Sequence, residues 1–463
     1  MVWRNGVSHK KAEKAAIILF WLIVWQAAAV GVDNRILMVG PLQVLHALLQ
    51  SAVQPDFIRT VLTSFVRIGL GFFAAFFAGL LFGAVGSRFR IVEEILEPVI
   101  QTLKSIPVAS FVVLLLIWFG SGRLSFCISF LIVFPNVYVN TIAGLKSADS
   151  DLLEMAQVFG MSRRNRFFYI YRPALMPYLE SCLKISLGMC WKSGVAAEVI
   201  GLPDHSLGER LYMSKIYLDT AGLFAWTLTV ILISFLFEKA VLRLVRLYGE
   251  WKPYPAAGTV HGEIQFVQSD QIVISRLSKA YGDRRILQDC CMTMEAGQRY
   301  VLMAPSGAGK TTFLKVLTGL DGADMGTITG VPKRVGMVFQ EDRLCESYNA
   351  VCNIMLGGGS SRVEQIRREA AGILPADCLD KPVRELSGGM RRRVALLRAV
   401  LSEAELLILD EPFAGLDEEN RERTAAYLMD NLGGRTLLVT THREEDVQLL
   451  QGVKVLLAFC ESL

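Results

Sequence analysis

The first half of the chain consists of long apolar blocks, whereas the second half alternates between apolar and polar positions. Six blocks before about residue 248 approach the roughly 20 residues that an α-helix needs to cross a bilayer. They are 15–32, 63–87, 98–119, 125–145, 176–201 and 223–245. The pattern predicts an all-α membrane domain of about six transmembrane helices, whose third block is interrupted by Pro98, Lys104 and Pro107.

Basic residues collect on one side of this predicted domain. They occur in the N-terminal tail, after the second block and after the sixth block, at Arg4, Lys10, Lys11, Lys14, Arg88, Arg90, Arg243, Arg246 and Lys252. Cytoplasmic loops of membrane proteins are enriched in Lys and Arg, and an even number of spans places both termini on one side. We therefore expect both termini in the cytoplasm, and we expect block 15–32 to be a retained anchor.

Two charged residues fall inside the fifth block. Lys192 and Glu198 are six positions apart, so they do not share a helix face. Charges within membrane segments are expensive and frequently functional. Two interpretations stay open: each residue faces the interior of the bundle or a span end, or each contacts a transported substrate.

A linker rich in proline and glycine, 251–269, separates the predicted membrane domain, 1–250, from a soluble domain, 270–463. The soluble part begins with a strand–turn–strand pattern. The segment YVLMAPSGAGKTTFLKVLTG then gives a strand, a glycine-rich loop and a helix. This order predicts an α/β fold with a phosphate-binding loop.

The glycine-rich loop APSGAGKT, 304–311, has the residues that a triphosphate requires. Glycines let backbone N–H groups approach phosphate oxygens, the lysine would bind the β and γ phosphates, and the threonine hydroxyl would bind Mg²⁺. Ala304 replaces the usual first glycine, which leaves the later donors in place. The predicted nucleotide-binding residues here are Ser306, Gly307, Ala308, Gly309, Lys310, Thr311 and Thr312.

The segment ELLILDEP, 405–412, is an apolar strand that ends in two carboxylates, about a hundred residues beyond the loop. Asp410 would hold Mg²⁺, and Glu411 would activate the attacking water. A core strand with a solvated acidic end is the alternative.

In LSGGM, Ser387, Gly388 and Gly389 open a helix whose N-terminus suits an anion. An ordinary capped helix start with a basic face would give the same pattern.

The soluble half resembles the nucleotide-binding subunit of ATP-binding cassette (ABC) transporters. The motifs APSGAGKTT, VFQ, LSGGM, LLILDEP, AGLD and TTH occur in that family's order. The resemblance implies that Tyr281 stacks on adenine, that Gln340 contacts Mg²⁺ and the water, and that His442 contacts the γ phosphate. It also implies a nucleotide-site role for Asp417. Met390 stands where the family usually has glutamine, which implies a tuned rather than a lost hydrolysis.

A stretch between the fourth and fifth blocks resembles the glutamate–alanine–alanine loop of binding-protein-dependent importer permeases. DLLEMAQVFG has its apolar residues at helical spacing, and a glycine that can end a helix. The matching positions are Glu154, Ala156, Gly160, Ile170 and Pro173, of which the first three are the predicted coupling residues. Met155 and Arg172 depart from the family pattern. A helix lying on the membrane surface is the alternative.

The membrane half resembles permeases for nitrate, sulfonates and taurine. This resemblance implies ATP-driven import of a small polar or anionic organic solute, an oxyanion or a vitamin precursor, with ATP and Mg²⁺ as cofactors. It implies a homodimer with two composite ATP sites, an extracytoplasmic solute-binding protein, and a multi-pass location among the lipids of the cytoplasmic membrane with the cassette in the cytoplasm. The alternatives are a non-catalytic or regulatory transporter subunit and an ABC exporter.

Composition agrees with a membrane protein and excludes other classes. The 463 residues are 52% hydrophobic, and the net charge of +4 is too small to indicate a nucleic-acid partner. Nine cysteines lack any CxxC pair, so they predict small buried side chains rather than a zinc site or a disulfide framework.

Overall fold

A computed structural model of the chain describes residues 2–32, 34, 36–255, 271–305, 307–358 and 363–456. These residues form two compact units. The helical unit comprises Met1–Ser147 and Leu175–Glu250, and the α/β unit comprises Ala148–Ala174 and Trp251–Leu463. Most of the predicted linker, and the predicted site residue Ser306, lie outside the described residues, and the boundaries proposed from sequence stay a prediction.

The described residues of the first half form helices joined by short connections, as the apolar blocks predict. The helices are α1 (Val2–Val32), α2 (Pro41–Ala52), α3 (Asp56–Arg88), α4 (Arg90–Ser105), α5 (Val108–Phe119), α6 (Ser121–Lys146), α7 (Ser150–Val158), α8 (Arg163–Arg166), α9 (Arg172–Gly201), α10 (Leu207–Ile216) and α11 (Thr220–Glu250). A π-helical turn, Phe167–Tyr171, joins α8 to α9.

Fewer of these helices qualify as membrane spans than the sequence blocks suggest. Among the described residues, Ala15–Val32 of α1 together with α3, α6 and α11 make four that are long and apolar enough. Helices α4 and α5 form a fifth candidate, but they meet at an angle of 105°. The break falls at Pro107, which cannot donate a helical hydrogen bond. The third predicted span is thus a broken span or a re-entrant loop.

The fifth predicted span, 176–201, is a helix, as part of α9, but it is not among the candidates. Its charged residues, Glu180, Lys184, Lys192 and Glu198, lower its hydropathy. The described residues therefore contain four or five candidate spans instead of about six.

Small residues set the closest helix packing in the helical unit. A Cβ at Gly71 would lie 2.4 Å from the carbonyl oxygen of Phe126, and a Cβ at Gly79 would lie 2.7 Å from Cβ of Val137. Both neighbours belong to α6, so α3 and α6 approach through glycine as membrane helices commonly do.

Glu198 connects four helices inside the same unit. It is fully buried, and its carboxylate accepts hydrogen bonds from the hydroxyls of Ser64 (2.7 Å) and Ser125 (3.3 Å) and from the backbone N–H of Gly208 (3.2 Å). Gly208 belongs to the first turn of α10, whose positive end favours a carboxylate. Lys192 is exposed, so the two charges face different ways. Of the two interpretations from sequence, Glu198 fits the one in which the residue faces the interior of the helical bundle.

The α/β unit has two sheets. Strands β1 (Gln271–Tyr281), β2 (Arg284–Glu295) and β4 (Met325–Thr329) form an antiparallel sheet in the order β2-β1-β4. Strands β3 (Arg299–Met303), β5 (Val335–Val338), β6 (Leu406–Asp410), β7 (Thr436–Thr441) and β8 (Val453–Leu456) form a parallel sheet in the order β5-β6-β7-β3-β8.

Helices complete this unit: α12 (Lys310–Leu317), α13 (Ala350–Met355), α14 (Val363–Ala370), α15 (Gly388–Val400), α16 (Glu418–Asp430) and α17 (Glu445–Leu449), with 3₁₀ turns at Ala376–Cys378 and Val383–Glu385. Because β6, β7 and β3 are parallel neighbours, their carboxyl ends meet at one edge of the sheet. A ligand of an open α/β sheet binds at such an edge.

Seven of the eight described cysteines follow the sequence expectation, and Cys460 lies outside the described residues. Cys182, Cys190, Cys290, Cys345, Cys352 and Cys378 are free and buried, and Cys127 is free and partly buried. Cys291 is disulfide-bonded, so the expectation of unbonded cysteines is wrong at that position.

Candidate nucleotide site and coupling segment

The phosphate loop lies between β3 and α12 and depends on glycine. Gly307 and Gly309 have φ angles of 81° and 90°, and a Cβ at position 309 would lie 2.9 Å from Cγ2 of Ile286. Lys310 is buried, and its Nζ donates to the carbonyl oxygens of Ala304 (2.6 Å) and Pro305 (3.2 Å). An ammonium has three N–H donors, so one donor stays available to a phosphate oxygen.

Asp410 ends β6 at the same edge of the sheet and is 2% exposed. Its Oδ2 accepts from the Thr311 hydroxyl at 3.2 Å, and its Oδ1 accepts from the Thr440 hydroxyl at 2.5 Å. A hydroxyl beside a carboxylate fits Mg²⁺, which takes few protein ligands and fills its shell with water and phosphate oxygens. No group of three or more His, Cys, Asp or Glu side chains suited to a metal occurs among the described residues.

Glu411 follows Asp410 and lies beside His442, with 3.6 Å between Oε1 of the glutamate and Nδ1 of the imidazole. Its φ angle is 48°, in the left-handed region that costs a non-glycine residue free energy. Its backbone N–H donates to the carbonyl oxygen of Thr440 at 3.0 Å, which fixes this conformation. Strain of this kind is typical of functional sites.

Arg392, which the sequence did not indicate, connects the chain at Gln340 to the chain at Asp410 and Glu411. It is 4% exposed, although it lies in the basic run of α15. Its guanidinium donates to five backbone carbonyl oxygens, those of Phe339 (2.5 Å), Gln340 (3.2 Å), Asp410 (2.6 Å), Glu411 (2.7 Å) and Pro412 (3.3 Å). Burial lowers its pKa. Arg392 thus holds the chain at Gln340 against the chain at Glu411.

Tyr281 ends β1, and its ring is about half exposed. Its hydroxyl donates to Asp321, which raises the pKa of the tyrosine, and it also contacts the Thr312 side chain of the phosphate loop. The structure therefore places Tyr281 beside the loop, whereas stacking on adenine stays a prediction.

Ser387 and Asp417 each begin a helix. The Ser387 hydroxyl accepts from the backbone N–H of Met390 (3.4 Å), and the Asp417 carboxylate accepts from that of Asn420 (2.8 Å). Both are thus helix caps. Ser387 therefore caps its helix, as the alternative interpretation expected. The binding of an anion by Ser387, Gly388 and Gly389 stays a prediction.

A cleft of about 670 Å³ borders the phosphate loop. Ala304, Pro305, Ala308 and His442 line it, together with apolar side chains of β2 such as Ile286. The volume lies within the range of small-molecule sites.

The predicted coupling helix is α7, which is capped at both ends, although the sequence suggested only the glycine at its end. The Asp149 side chain accepts from the backbone N–H of Asp151 (2.8 Å) at its start. At its end, Gly160 has a φ of 59°, its N–H donates to Gln157, and the N–H of Met161 donates to Ala156 (2.9 Å). This is the Schellman arrangement, for which glycine is the preferred residue.

Helix α7 belongs to the α/β unit, and its apolar face packs against the strand β5 of that unit. Met155 and Ala156 are fully buried in one cluster with Val335, Met337 and Phe339, which belong to β5 or follow it directly. The amphipathic pattern is therefore explained by protein packing, and no membrane surface is required.

Glu154 makes the charged contacts of this face. Its carboxylate accepts from Arg343 (2.6 Å) and from Lys315 (3.3 Å). Burial would raise the pKa of Glu154, but the two cations outweigh it and hold the pKa below its usual value. Lys315 lies on α12, which begins at Lys310, and Arg343 lies three residues after Gln340. One carboxylate therefore contacts both the phosphate-loop helix and the segment of Gln340.

Comparisons with known proteins agree with these two units. Residues 287–414 match the family described as ABC transporter, and residues 55–248 match the binding-protein-dependent transport system inner membrane component.

The relatives are ATP-binding proteins. An aliphatic sulfonates import ATP-binding protein of Nocardia farcinica is 38% identical over 192 residues, which cover 40% of this chain and 77% of the relative. A taurine import ATP-binding protein of Pseudomonas aeruginosa is 35% identical, over 36% of this chain and 70% of the relative. A Nod factor export ATP-binding protein of Burkholderia lata is 37% identical, over 38% of this chain and 63% of the relative, which is less than two thirds. The chain belongs to the ABC transporter family, with a membrane-embedded permease domain and a nucleotide-binding ATPase cassette in one polypeptide.

Proposed function

We propose that this protein uses ATP hydrolysis to import a small anionic or polar organic solute of the sulfonate or taurine class, delivered by an extracytoplasmic solute-binding protein. The observation that carries the proposal is the contact of Glu154 with Lys315 and Arg343, in a chain whose membrane half matches the binding-protein-dependent family. The names of the sulfonate and taurine relatives supply the solute class. Nitrate and a vitamin precursor are the other candidates from sequence.

Hydrolysis would use the groups at the edge of the parallel sheet. Lys310 and the loop N–H groups would bind the phosphates, and Thr311, Asp410 and Gln340 would hold Mg²⁺, which when bound would supply positive charge to the phosphates. Glu411 accepts a proton from the attacking water. His442, whose Nδ1 lies 3.6 Å from the Glu411 carboxylate, would orient that carboxylate, and its contact with the γ phosphate is an expectation from the family resemblance.

A second copy of the chain would complete each ATP site. Each chain carries one phosphate loop and one LSGGM helix start, so a homodimer would place Ser387, Gly388 and Gly389 of one copy over the loop of the other. The positive end of α15 suits the γ phosphate. Asp417, at the start of α16, would lie near the same interface.

The coupling segment, Ala148–Ala174, would transmit the movement of the cassette to the permease domain. When ATP draws two cassettes together, α12 and the chain after Gln340 shift with the phosphates. Glu154 follows both, because its carboxylate is bonded to a cation on each. Rigid-body rearrangement of this kind is a common output of nucleotide switches.

The test measures solute uptake into proteoliposomes that contain the full chain. The cassette and ATP are inside the vesicles, and the cognate binding protein is outside. The solute is first identified by mass spectrometry of the ligand that co-purifies with the binding protein. Wild type should accumulate that solute, and Glu411→Gln should abolish uptake while ATP still binds. The exposed Glu444, which pairs with Lys454, gives the control variant Glu444→Gln. Undiminished uptake by Glu411→Gln would overturn the mechanism.

Export is the second candidate, because a Nod factor export protein is among the relatives of the cassette. It predicts that ATP drives labelled solute out of the compartment that holds the cassette. A wild-type protein without Mg²⁺-dependent ATPase would instead indicate a regulatory subunit.

A further inference from the structure

The residues directly after α11, Trp251–Pro255, belong to the α/β unit and make specific contacts within it. The Trp251 ring lies against the Phe168 ring at 5.7 Å and 87°. The ammonium of Lys252 donates to the carbonyl oxygen of Ser347, and the carbonyl oxygen of Pro253 accepts from the Tyr169 hydroxyl. Pro255 is buried. We call Trp251–Pro255 the strap.

The strap covers an aromatic cluster at the C-terminal end of the coupling segment. Tyr169 and Tyr348 have ring centroids 4.6 Å apart, and both side chains are almost fully buried. Tyr169 belongs to the π-helical turn, and Tyr348 belongs to the cassette loop before α13. Single π turns are frequent at functional sites.

Arg172 fastens this cluster to the cassette. It is 2% exposed, and its guanidinium donates to the Tyr348 hydroxyl at 2.8 Å. That hydroxyl in turn donates to the carbonyl oxygen of Phe168 at 2.9 Å. One cassette tyrosine thus contacts both a side chain and the backbone of the coupling segment. Arg172 is one of the two positions at which this segment departs from the family pattern.

The cluster lies at the opposite end of the coupling segment from the Glu154 ion pairs. The ion pairs hold α7, at residues 150–158, whereas the cluster holds residues 167–172. The two attachments also differ in chemistry, since the first is largely ionic and the second combines aromatic packing with buried hydrogen bonds.

We propose that the strap and the Arg172–Tyr348 cluster form a second attachment between the cassette and the coupling segment of the chain, which keeps the cassette bound independently of the Glu154 ion pairs. The partner surface is the loop around Tyr348. This attachment uses residues that follow the last helix of the permease domain, so it is available to a chain in which permease and cassette are joined.

The experiment separates docking from covalent connection. A protease site is placed between residues 255 and 271 of the full chain, the purified protein is cleaved in detergent, and the release of the cassette fragment from the membrane fragment is timed. We expect the wild-type cassette to stay bound. Tyr348→Phe and the strap variant Lys252→Met, which removes the ammonium that donates to Ser347 and lies over the Tyr348 ring, should each release it at least tenfold faster.

Tyr427→Phe is the matched control, because it removes the hydroxyl of another mostly buried cassette tyrosine, on α16, and its release should equal that of the wild type. Release of the wild-type cassette directly on cleavage would overturn the proposal. Wild-type rates for both Tyr348→Phe and Lys252→Met would do the same. The measurement needs no transport. The proposed attachment can therefore be refuted while the proposed import stands, and the import can be refuted while the attachment stands.

Discussion

Replacing Glu154 by glutamine tests the coupling segment most directly. The substitution keeps the size of the side chain and removes its charge. Met155 and Ala156 stay buried against β5, so α7 keeps its apolar attachment. The variant therefore changes the ion pairs alone.

The free energy lost in Glu154→Gln is estimated from the exposure of the two ion pairs. Arg343 is 8% exposed and Glu154 is 30% exposed, so their 2.6 Å contact is a charge-assisted bond at a partly buried site. The Lys315 pair is longer, at 3.3 Å, and about a third exposed on both sides. Together they contribute about 2 kcal/mol, because a charged hydrogen bond adds roughly 1.5–3 kcal/mol and an exposed pair adds little. This equals about a 30-fold change in the docking equilibrium.

The assay is the ratio of solute uptake to ATP hydrolysis in proteoliposomes. Glu154→Gln should lower this ratio by about tenfold or more while basal hydrolysis persists. Glu180→Gln is the control, since Glu180 also contacts one lysine and one arginine, but these partners are half exposed. The depressed pKa of Glu154 means that its contribution is full above the usual value of 4.5 and is lost as pH falls through the lowered value. Near neutral pH the carboxylate stays charged, so this pair should give the ratio no dependence on pH there.

Two results would refute the reasoning. One is an unchanged ratio for Glu154→Gln, because it would mean that the ion pairs transmit nothing. The other is an equal loss in Glu180→Gln, because it would show a general sensitivity to surface charge.

Three further predictions concern buried polar groups. Arg392→Met leaves five carbonyl oxygens without their donor and should destabilise the cassette by about 3–5 kcal/mol in thermal unfolding; an unchanged Tm would contradict its connecting role. Glu198→Gln presents an amide to groups that all donate and should cost the helical unit about 1–3 kcal/mol in detergent, whereas the exposed Lys192→Gln should cost nothing measurable. Thr440→Val removes the hydroxyl that orients Asp410 and should raise the Mg²⁺ concentration needed for hydrolysis by roughly 10–100-fold; an unchanged Mg²⁺ titration would argue against Asp410 as a ligand.

Local patterns made most of the cassette predictable. A strand, a loop rich in glycine and a helix are adjacent in sequence, so the phosphate loop and Lys310 could be recognised from a few residues. Asp410 and Glu411 were recognisable because a buried strand ends at them. That Asp410 contacts Thr311 then follows from the parallel order of β6, β7 and β3.

Contacts between distant residues were not predictable in this way. Arg392 lies within a run of three arginines, and nothing in that run shows which one turns inward. Arg172 was noticed only as a departure from a pattern, since its partner Tyr348 is 176 positions away. The third membrane block had the composition of a span, but composition does not encode the 105° bend at Pro107.

The left-handed backbone of Glu411 implies that the stability of the cassette and its ATP hydrolysis make opposite demands on the residue at this position. A non-glycine residue there costs about 1–2 kcal/mol, and the greater freedom of glycine in the unfolded chain recovers only part of this difference. A cassette with glycine at position 411 should therefore tolerate heat slightly better than the natural one and hydrolyse no ATP. Glycine would be favoured at this position by stability alone, so the proposed role of Glu411 in hydrolysis carries a cost in stability.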